Sequence, residues 1–392
     1  MKRQFPYYAR ALALGLPAYL GGVHFWAWVS MGSIFLAGAG DFRLFYTAGF
    51  FVRSGNFAQL YDFGAQQFFQ ASLFSPELRG KLLPMPYFHP PFEAWLFVPV
   101  SFFSLPVAYA IFLAVNVAIL AYVIWVLRPL LQNLRAMYWW LPLALTFSFL
   151  SIAAALLTGQ DSILLLGLVT AAALRLRGRH EFTAGLILGL CVFRPQIVLG
   201  IVLLLMLWGL WRLLYGFAVI ASLCGLISLW MMKGFGYLAV LGRLSSGKWP
   251  MPMPMRFMPS LRGFFAAAGL ATHPHLLMAI CLVASFAILF FVLRLGREKS
   301  TFDQFLLALP FAVLISYHCF IYDLSILLLP LLIWLDRAVA RQPRKSDLWL
   351  VALYLSPLLF SYASDYFFLV SVVLLGVVIA ESFRQVSAEV LP

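Results

Sequence analysis

Pro106-Val-Ala-Tyr-Ala-Ile-Phe-Leu-Ala-Val-Asn-Val-Ala-Ile-Leu-Ala-Tyr-Val-Ile-Trp-Val-Leu127 decides the class of this chain. It contains no charged residue, and its only strongly polar side chain is Asn116. A helix needs roughly 20 apolar residues to cross a bilayer. No stretch of the chain alternates apolar and polar residues with the period of a barrel strand, so the crossings are expected to be helical. Outward from this segment, similar runs occupy about 11–36, 137–157, 161–174, 182–211, 211–232, 275–295, 302–319, 321–340, 347–363 and 366–383. The segment 92–103 is too short to span alone. The expectation is an all-α polytopic membrane protein with about 12 transmembrane helices, within a range of 10–13, as one membrane domain over residues 1–392.

Composition agrees. Of the 392 residues, 64% are hydrophobic, 17% aromatic and 10% charged. A soluble chain carries roughly 25% charge. An ordinary soluble enzyme, a disordered chain and a disulfide scaffold are excluded. The formal net charge is +13, but the basic residues cluster between apolar runs. That is how membrane proteins fix their orientation, so no nucleic-acid partner is expected. Cys191, Cys224, Cys281 and Cys319 lie in or beside apolar runs without metal or redox spacing, and read as small hydrophobes.

The basic Met1-Lys2-Arg3 is expected in the cytoplasm, with the following apolar run retained as the first span. The polar stretch 37–90 is then the first outer loop. Asp41 can cap a helix running to Ser54, with Phe42, Phe45, Tyr46, Gly49 and Phe50 on one face and Gly55-Asn56 as its stop. Asp62 can cap a second helix through Phe74, and Ser75-Pro76-Glu77 a short third. Their aromatic faces suggest helices lying in the interface. Arg294, Arg297 and Lys299, then Arg337, Arg341, Arg344 and Lys345, then Arg384 are expected inside, which makes 233–274 a second outer loop. Between 92 and 211 two topologies remain open. If the basic loop Arg175–Arg179 lies inside, the 182–211 run is two half-length helices meeting near Arg194 and 92–103 is re-entrant. If 92–103 crosses fully, that loop lies outside against the charge rule. The broken helix is the expectation here, because Arg194-Pro195 interrupts the run.

The 14 carboxylates are few enough to weigh singly. Glu181, Glu298, Asp336, Asp347, Glu381 and Glu389 read as solvated ion pairs in basic loops, and Asp303 as a helix cap. Asp41, Asp62, Glu77, Glu93, Asp161, Asp323 and Asp365 lie on the outer side or at depth. Asp41 is either a helix N-cap or a general base held at the membrane surface. Asp62 is a cap or a substrate contact. Asp161, after Gly159-Gln160 at a helix break, is a structural or a functional intramembrane polar group. His318 and Asp323, in Tyr317–Asp323, line a site or anchor the interface. His89 before Pro90-Pro91 meets a phosphate or fixes a turn. Arg194 is the prime phosphate-binding candidate, because a guanidinium suits phosphate oxygens and is otherwise costly to bury. Arg256 and Arg262 are outer-loop alternatives for the same role. His273-Pro-His275 is weak evidence for a metal, and no metal centre is expected, although a divalent ion is not excluded. The sequence has no P-loop, dinucleotide fingerprint or HExxH motif.

Asp41-Phe-Arg-Leu-Phe-Tyr46, Ser54-Gly55-Asn56, Leu60-Tyr61-Asp62, Phe88-His-Pro-Pro91, Phe97-Val-Pro99, Asn116, Gly159-Gln160, Ala184-Gly185-Leu-Ile-Leu-Gly189 and Arg194-Pro195 together resemble glycosyltransferase family 87. Ser260-Leu-Arg262-Gly263 and Ser316-Tyr-His318 are weaker echoes. The resemblance covers about 38–330. It departs at His89, where that family usually has Tyr, and at Ser162 and Arg194, where it often has Asn and Lys. The resemblance implies the GT-C architecture. It also implies an inverting glycosyltransferase without nucleotide cofactor, moving a sugar, mannose foremost, from a polyprenyl-phosphate donor to a lipid or glycan acceptor on the outer face of the plasma (inner) membrane. The resemblance implies Asp41 as catalytic base. Gln160 and Asp161 would hold sugar hydroxyls, aromatics such as Tyr46 would stack on the sugar, and Asp62, His318 and Asp323 would line the site. The alternatives are a secondary transporter or lipid-linked-sugar flippase, which should show a repeated hydropathy pattern, and a non-catalytic scaffold, which would not need Asp41.

Overall fold

The computed structural model describes residues 7–74, 84–233, 255–341 and 344–383. Ser75–Glu77, Arg79, Lys81, Lys248, most of the Trp249–Met255 run, Arg384 and Glu389 lie outside the described residues.

Among the described residues the secondary structure is helical, with no strand. In order, the helices are α1 (Tyr7–Ile34), α2 (Phe42–Arg53), α3 (Phe63–Leu73), α4 (Leu105–Leu127), α5 (Gln132–Met137), α6 (Leu141–Ser148), α7 (Leu150–Thr158), α8 (Ser162–Arg177) and α9 (Glu181–Leu190). They continue as α10 (Pro195–Leu207), α11 (Trp211–Met231), α12 (Leu261–Ala267), α13 (Pro274–Gly296), α14 (Thr301–Ile315), α15 (Leu328–Val339), α16 (Leu348–Leu355), α17 (Leu359–Tyr362) and α18 (Val370–Phe383). Among the described residues, five helical stretches are long and apolar enough to cross a bilayer: 13–53, 105–130, 211–231, 274–296 and 364–383. The pair α6 and α7, bent by 60° at Phe149, makes a sixth if taken as one span. The rest of the apolar length is in shorter helices, including α9, α10 and α14, so full-length helices alone do not reach the expected twelve. The spanning helices keep Phe25, Trp26, Leu226, Trp230, Phe286 and Phe290 exposed. Such a surface is stable only against lipid or an apolar partner.

The 182–211 run is broken as expected. α9 ends in a short 3-10 turn (Cys191–Phe193), Arg194 leaves the helical region at φ −113° and ψ 63°, and Pro195 opens α10. α9 packs on α11, whereas α10 packs on α14. The segment 92–103 forms two 3-10 turns, Pro91–Phe97 and Val100–Phe102, the first of which packs on α2. In the first outer loop α2 differs from expectation. Phe42 to Gly49, Phe51 and Val52 are all buried, so this helix is enclosed by protein rather than laid flat in the interface. Its polar residues Arg43 and Thr47 are buried along with the aromatic ones. Asp336 also differs: it is buried, and accepts bonds from the Asn133 and Leu134 amides and the Asn133 side chain, capping α5 instead of pairing in solvent. Asp303 takes an Arg337 guanidinium at 2.6 Å, while Ser300 supplies the α14 cap.

The packing of α9 on α11 depends on small residues. A Cβ on Gly185 would run into the Leu213 carbonyl, and one on Gly216 into the Phe182 carbonyl. Close backbone approach of this kind is how helices associate where there is no water to drive them together. Gly216→Val is expected to destabilise the detergent-purified protein by about 1–3 kcal/mol, as overpacking of a dense interior does. Thermal unfolding followed by intrinsic fluorescence checks this, and an unchanged midpoint would refute the packing argument.

Candidate functional site

Two helix breaks and one kink bring the site together. α1 runs into a π turn over Phe35–Ala39, kinked at Gly38 with φ 100°. A Cβ on Gly38 would sit 2.9 Å from Leu105 Cδ2, so only glycine serves there. The next glycine, Gly40, lies against the Thr158 backbone carbonyl, 2.7 Å from where its Cβ would be. From the other side Gly159 closes α7 in the left-handed region at φ 72°, with its missing Cβ 2.6 Å from Phe42 Cβ. Gly40 and Gly159 therefore let the 40–42 and 158–160 backbones touch. Asp41 is thereby set against Gln160.

Asp41 occupies the N-cap position of α2, but its side chain makes no capping bond. Instead its Oδ2 accepts a 2.6 Å hydrogen bond from Gln160 Nε2. Gln160 Oε1 in turn accepts from Arg194 Nη2 at 2.6 Å. Arg194 Nε donates to Asp161 at 2.9 Å (Oδ1) and 3.2 Å (Oδ2), and Nη2 also bonds Asp161 Oδ1. Nη1 faces Asp323 Oδ1 at 3.3 Å, and the guanidinium lies 5.6 Å from the centre of the Tyr322 ring. Asp323 is fixed by the 3-10 turn Ile321–Leu327, which packs on α7 and α8, and its Oδ2 accepts from the Phe320 amide at 2.8 Å. Asp161, Arg194 and Asp323 are fully buried; Asp41 is half-buried. A buried guanidinium between two carboxylates, with a bidentate contact to one, keeps its charge without water.

His89 and Glu93 close the other side. His89 Nδ1 lies 2.8 Å from Glu93 Oε2 and 3.8 Å from Asp161 Oδ2. The His89 ring is edge-on to Phe45 and stacked on Tyr87, and its carbonyl accepts from Tyr61 Oη at 2.6 Å. Burial, with the Arg194 charge nearby, pushes His89 down to about 3, so it is a neutral imidazole at physiological pH. Glu93, expected on the outer side or at depth, had no role assigned from sequence. The available signal was a carboxylate four residues after His89 in an otherwise apolar stretch. One ligand atom each from His89, Glu93 and Asp161 lie within 4.8 Å of one another, which makes these three the candidate metal ligands among the described residues. His273 and His275 are exposed and outside that group.

The remaining candidates are dispersed. Asp62 is exposed and caps α3 through the Ala65 amide at 3.1 Å. Tyr46 is buried, with its hydroxyl donated to the Phe103 carbonyl at 2.8 Å. Arg262 donates to the Tyr317 carbonyl at 3.0 Å and stacks 3.7 Å over that ring, next to His318 at the edge of the cluster. Arg256 is exposed and faces Asp365 at 3.3 Å.

A family model, glycosyltransferase family 87, matches residues 87–316. The chain belongs to glycosyltransferase family 87. It is a membrane glycosyltransferase, and the matched stretch holds His89, Glu93, Gln160, Asp161, Arg194, Arg256 and Arg262. Asp41, His318 and Asp323 lie outside it. No curated protein and no solved structure matches the chain.

Removing Arg194 leaves Asp161 and Asp323 as uncompensated buried charges. Arg194→Met is expected to cost about 3–5 kcal/mol of stability. Arg194→Lys should fall between it and the parent, because one ammonium cannot reach Gln160, Asp161 and Asp323 together. Unfolding midpoints in the same detergent measure both, and parental stability in Arg194→Met would contradict the assignment.

Proposed function

We propose that this protein is an inverting glycosyltransferase of the GT-C type that takes a polyprenyl-phosphate sugar, mannose foremost, as donor. The acceptor is a lipid or glycan hydroxyl on the outer face of the plasma (inner) membrane, and Asp41 is the general base. The observation that carries this reading is the state of the Asp41 carboxylate. It stands at a helix N-terminus without capping it, is half-buried where its carboxylate neighbours are fully buried, and is aimed by Gln160. A base must be both oriented and reachable.

In the proposed step the acceptor O–H gives its proton to Asp41. The oxygen forms a bond to the anomeric carbon from the face opposite the lipid phosphate. The bond from that carbon to the phosphate oxygen breaks, and the electron pair leaves with the polyprenyl phosphate. One bond forms, one breaks, and the configuration inverts. The donor is already activated, so no nucleotide is needed. The phosphate gains negative charge as it leaves, and preorganised cations are what stabilise such charge. Arg194 supplies positive potential at depth and Arg262, beside His318, at the outer edge; neutral His89 can offer a hydrogen bond but no charge. Arg256, paired with Asp365, is the outermost candidate. Gln160 and Asp161 act on this reading chiefly as holders of Asp41 and Arg194, with any contact to sugar hydroxyls made from those positions. Tyr46, whose hydroxyl is already donated, and Asp62, a cap, support the walls.

The test is sugar transfer by purified protein in lipid, from radiolabelled polyprenyl-phosphate mannose to a total lipid extract. Asp41→Asn is expected to lower transfer by about 10²–10⁴-fold while folding and donor binding persist. Gln160→Ala should give a smaller loss, because the base remains but is no longer aimed. Equal transfer by parent and Asp41→Asn would overturn the base assignment.

A further inference from the structure

We propose that His89, Glu93 and Asp161 form a binding site for a divalent first-row cation of the Mn²⁺ or Zn²⁺ class, set against the Arg194 pair. Three separate observations support it.

The first is geometric. A cation bound at about 2.0–2.2 Å from each of three ligands holds those ligand atoms roughly 3–4 Å apart. The three ligand atoms here lie within 4.8 Å of one another, with His89 Nδ1 at 2.8 Å from Glu93 Oε2 and 3.8 Å from Asp161 Oδ2. A few tenths of an ångström of opening between His89 and Glu93 admits the ion. Asp161 stays available on that side, because Arg194 Nε and Nη2 favour Oδ1, and Oδ2 takes only the longer 3.2 Å contact.

The second is the state of Glu93. Its side chain is fully buried, with Asp161 and Tyr87 as polar neighbours beside His89, and neither its oxygens nor His89 Nδ1 takes part in a hydrogen bond of full strength and alignment. The two groups face each other at 2.8 Å. A buried carboxylate needs a partner of some kind.

The third is charge. Asp41, Glu93, Asp161 and Asp323 gather around Arg194, with Arg43 acting on Asp41 from the other side. Four carboxylates therefore share two guanidiniums in one buried cluster, and a phosphate-linked donor would bring further anionic oxygens to it. A divalent ion adds positive charge where the acidic groups outnumber the basic ones. The mixed set of one imidazole and two carboxylates suits Mn²⁺ or Zn²⁺ better than Mg²⁺, which prefers oxygen ligands and dehydrates reluctantly. This deepens the reading of the site as one that accepts a phosphate ester, since the ion would also face the donor phosphate.

The experiment uses the metal alone. Full-length protein in nanodiscs is stripped with EDTA and titrated with Mn²⁺, read by the loss of the free-ion electron paramagnetic resonance signal, with Zn²⁺ as competitor. The expected result is one saturable site per chain. Glu93→Gln and His89→Ala should each weaken it by at least about tenfold, since each removes one of three ligands. Glu298→Gln, which changes an exposed carboxylate in the connection between α13 and α14, should leave it unchanged. Glu93→Gln conserves shape, so parental unfolding in that variant separates a lost ligand from a lost fold. No saturable binding, or equal binding in the parent and both ligand variants, overturns the site and means that Glu93 is held protonated instead. Because no sugar donor enters the titration, its failure and a failed transfer assay are separate outcomes.

Discussion

A guanidinium taken out of water costs several kcal/mol unless its protons are met by fixed acceptors. Arg194 is such a group, and the surrounding structure follows from the need to meet it. Asp161 must stand at the end of a helix break to reach Nε and Nη2, Asp323 must be carried in by a 3-10 turn, and Gln160 must turn its carbonyl oxygen toward Nη2. The amide nitrogen of Gln160 is then left pointing at Asp41. A structural requirement of the buried cation thereby fixes the orientation of a carboxylate that is not itself bonded to it.

The irregular backbone around this cluster has the same origin. Regular helices satisfy their own amides and carbonyls and leave no inward-facing ends, so a polar site at depth requires helices to stop. Here the stops are at Phe149, Gly159 and Arg194, and the π turn before Asp41 supplies a fourth interruption. Gly40 and Gly159 do more than terminate helices. They remove the two Cβ atoms that would hold the first outer segment away from the α7–α8 break.

Much of this was legible in the sequence, and the limits have physical causes. The α4, α11 and α13 spans could be read nearly to the residue, because uninterrupted apolar length has one interpretation. The break at Arg194-Pro195 was legible because a charge next to a proline within an apolar run cannot continue a helix. The partners of Arg194 were harder. Asp161 and Asp323 were both flagged, but neither spacing nor composition says that residues 162 positions apart share one guanidinium. The enclosure of α2 by protein was hidden for a related reason: an aromatic face looks the same whether it meets lipid or other aromatics, and only the tertiary contacts with Phe97, Tyr109 and Phe112 reveal it. Asp336 was misread because a carboxylate beside Arg337 suggests an ion pair, whereas the free amides of α5 were a stronger claim on it. Glu93 was passed over because a 3-10 turn, unlike an α-helix, gives no periodic signal to show which way its side chains face.

Why Asp41, among four clustered carboxylates, should be the one to accept a proton is a question of competing demands on each oxygen. Asp161 is committed to Arg194 through a bidentate contact, and Asp323 is divided between that guanidinium and the Phe320 amide. Protonating either would remove half of the compensation for a buried cation. Glu93 is fully buried against His89. Asp41 has one oxygen held by a neutral amide and is the least buried of the four, so it can gain and lose a proton without unmaking an ion pair. In the proposed transfer the base is therefore the carboxylate that the cluster holds in place and does not need for charge balance.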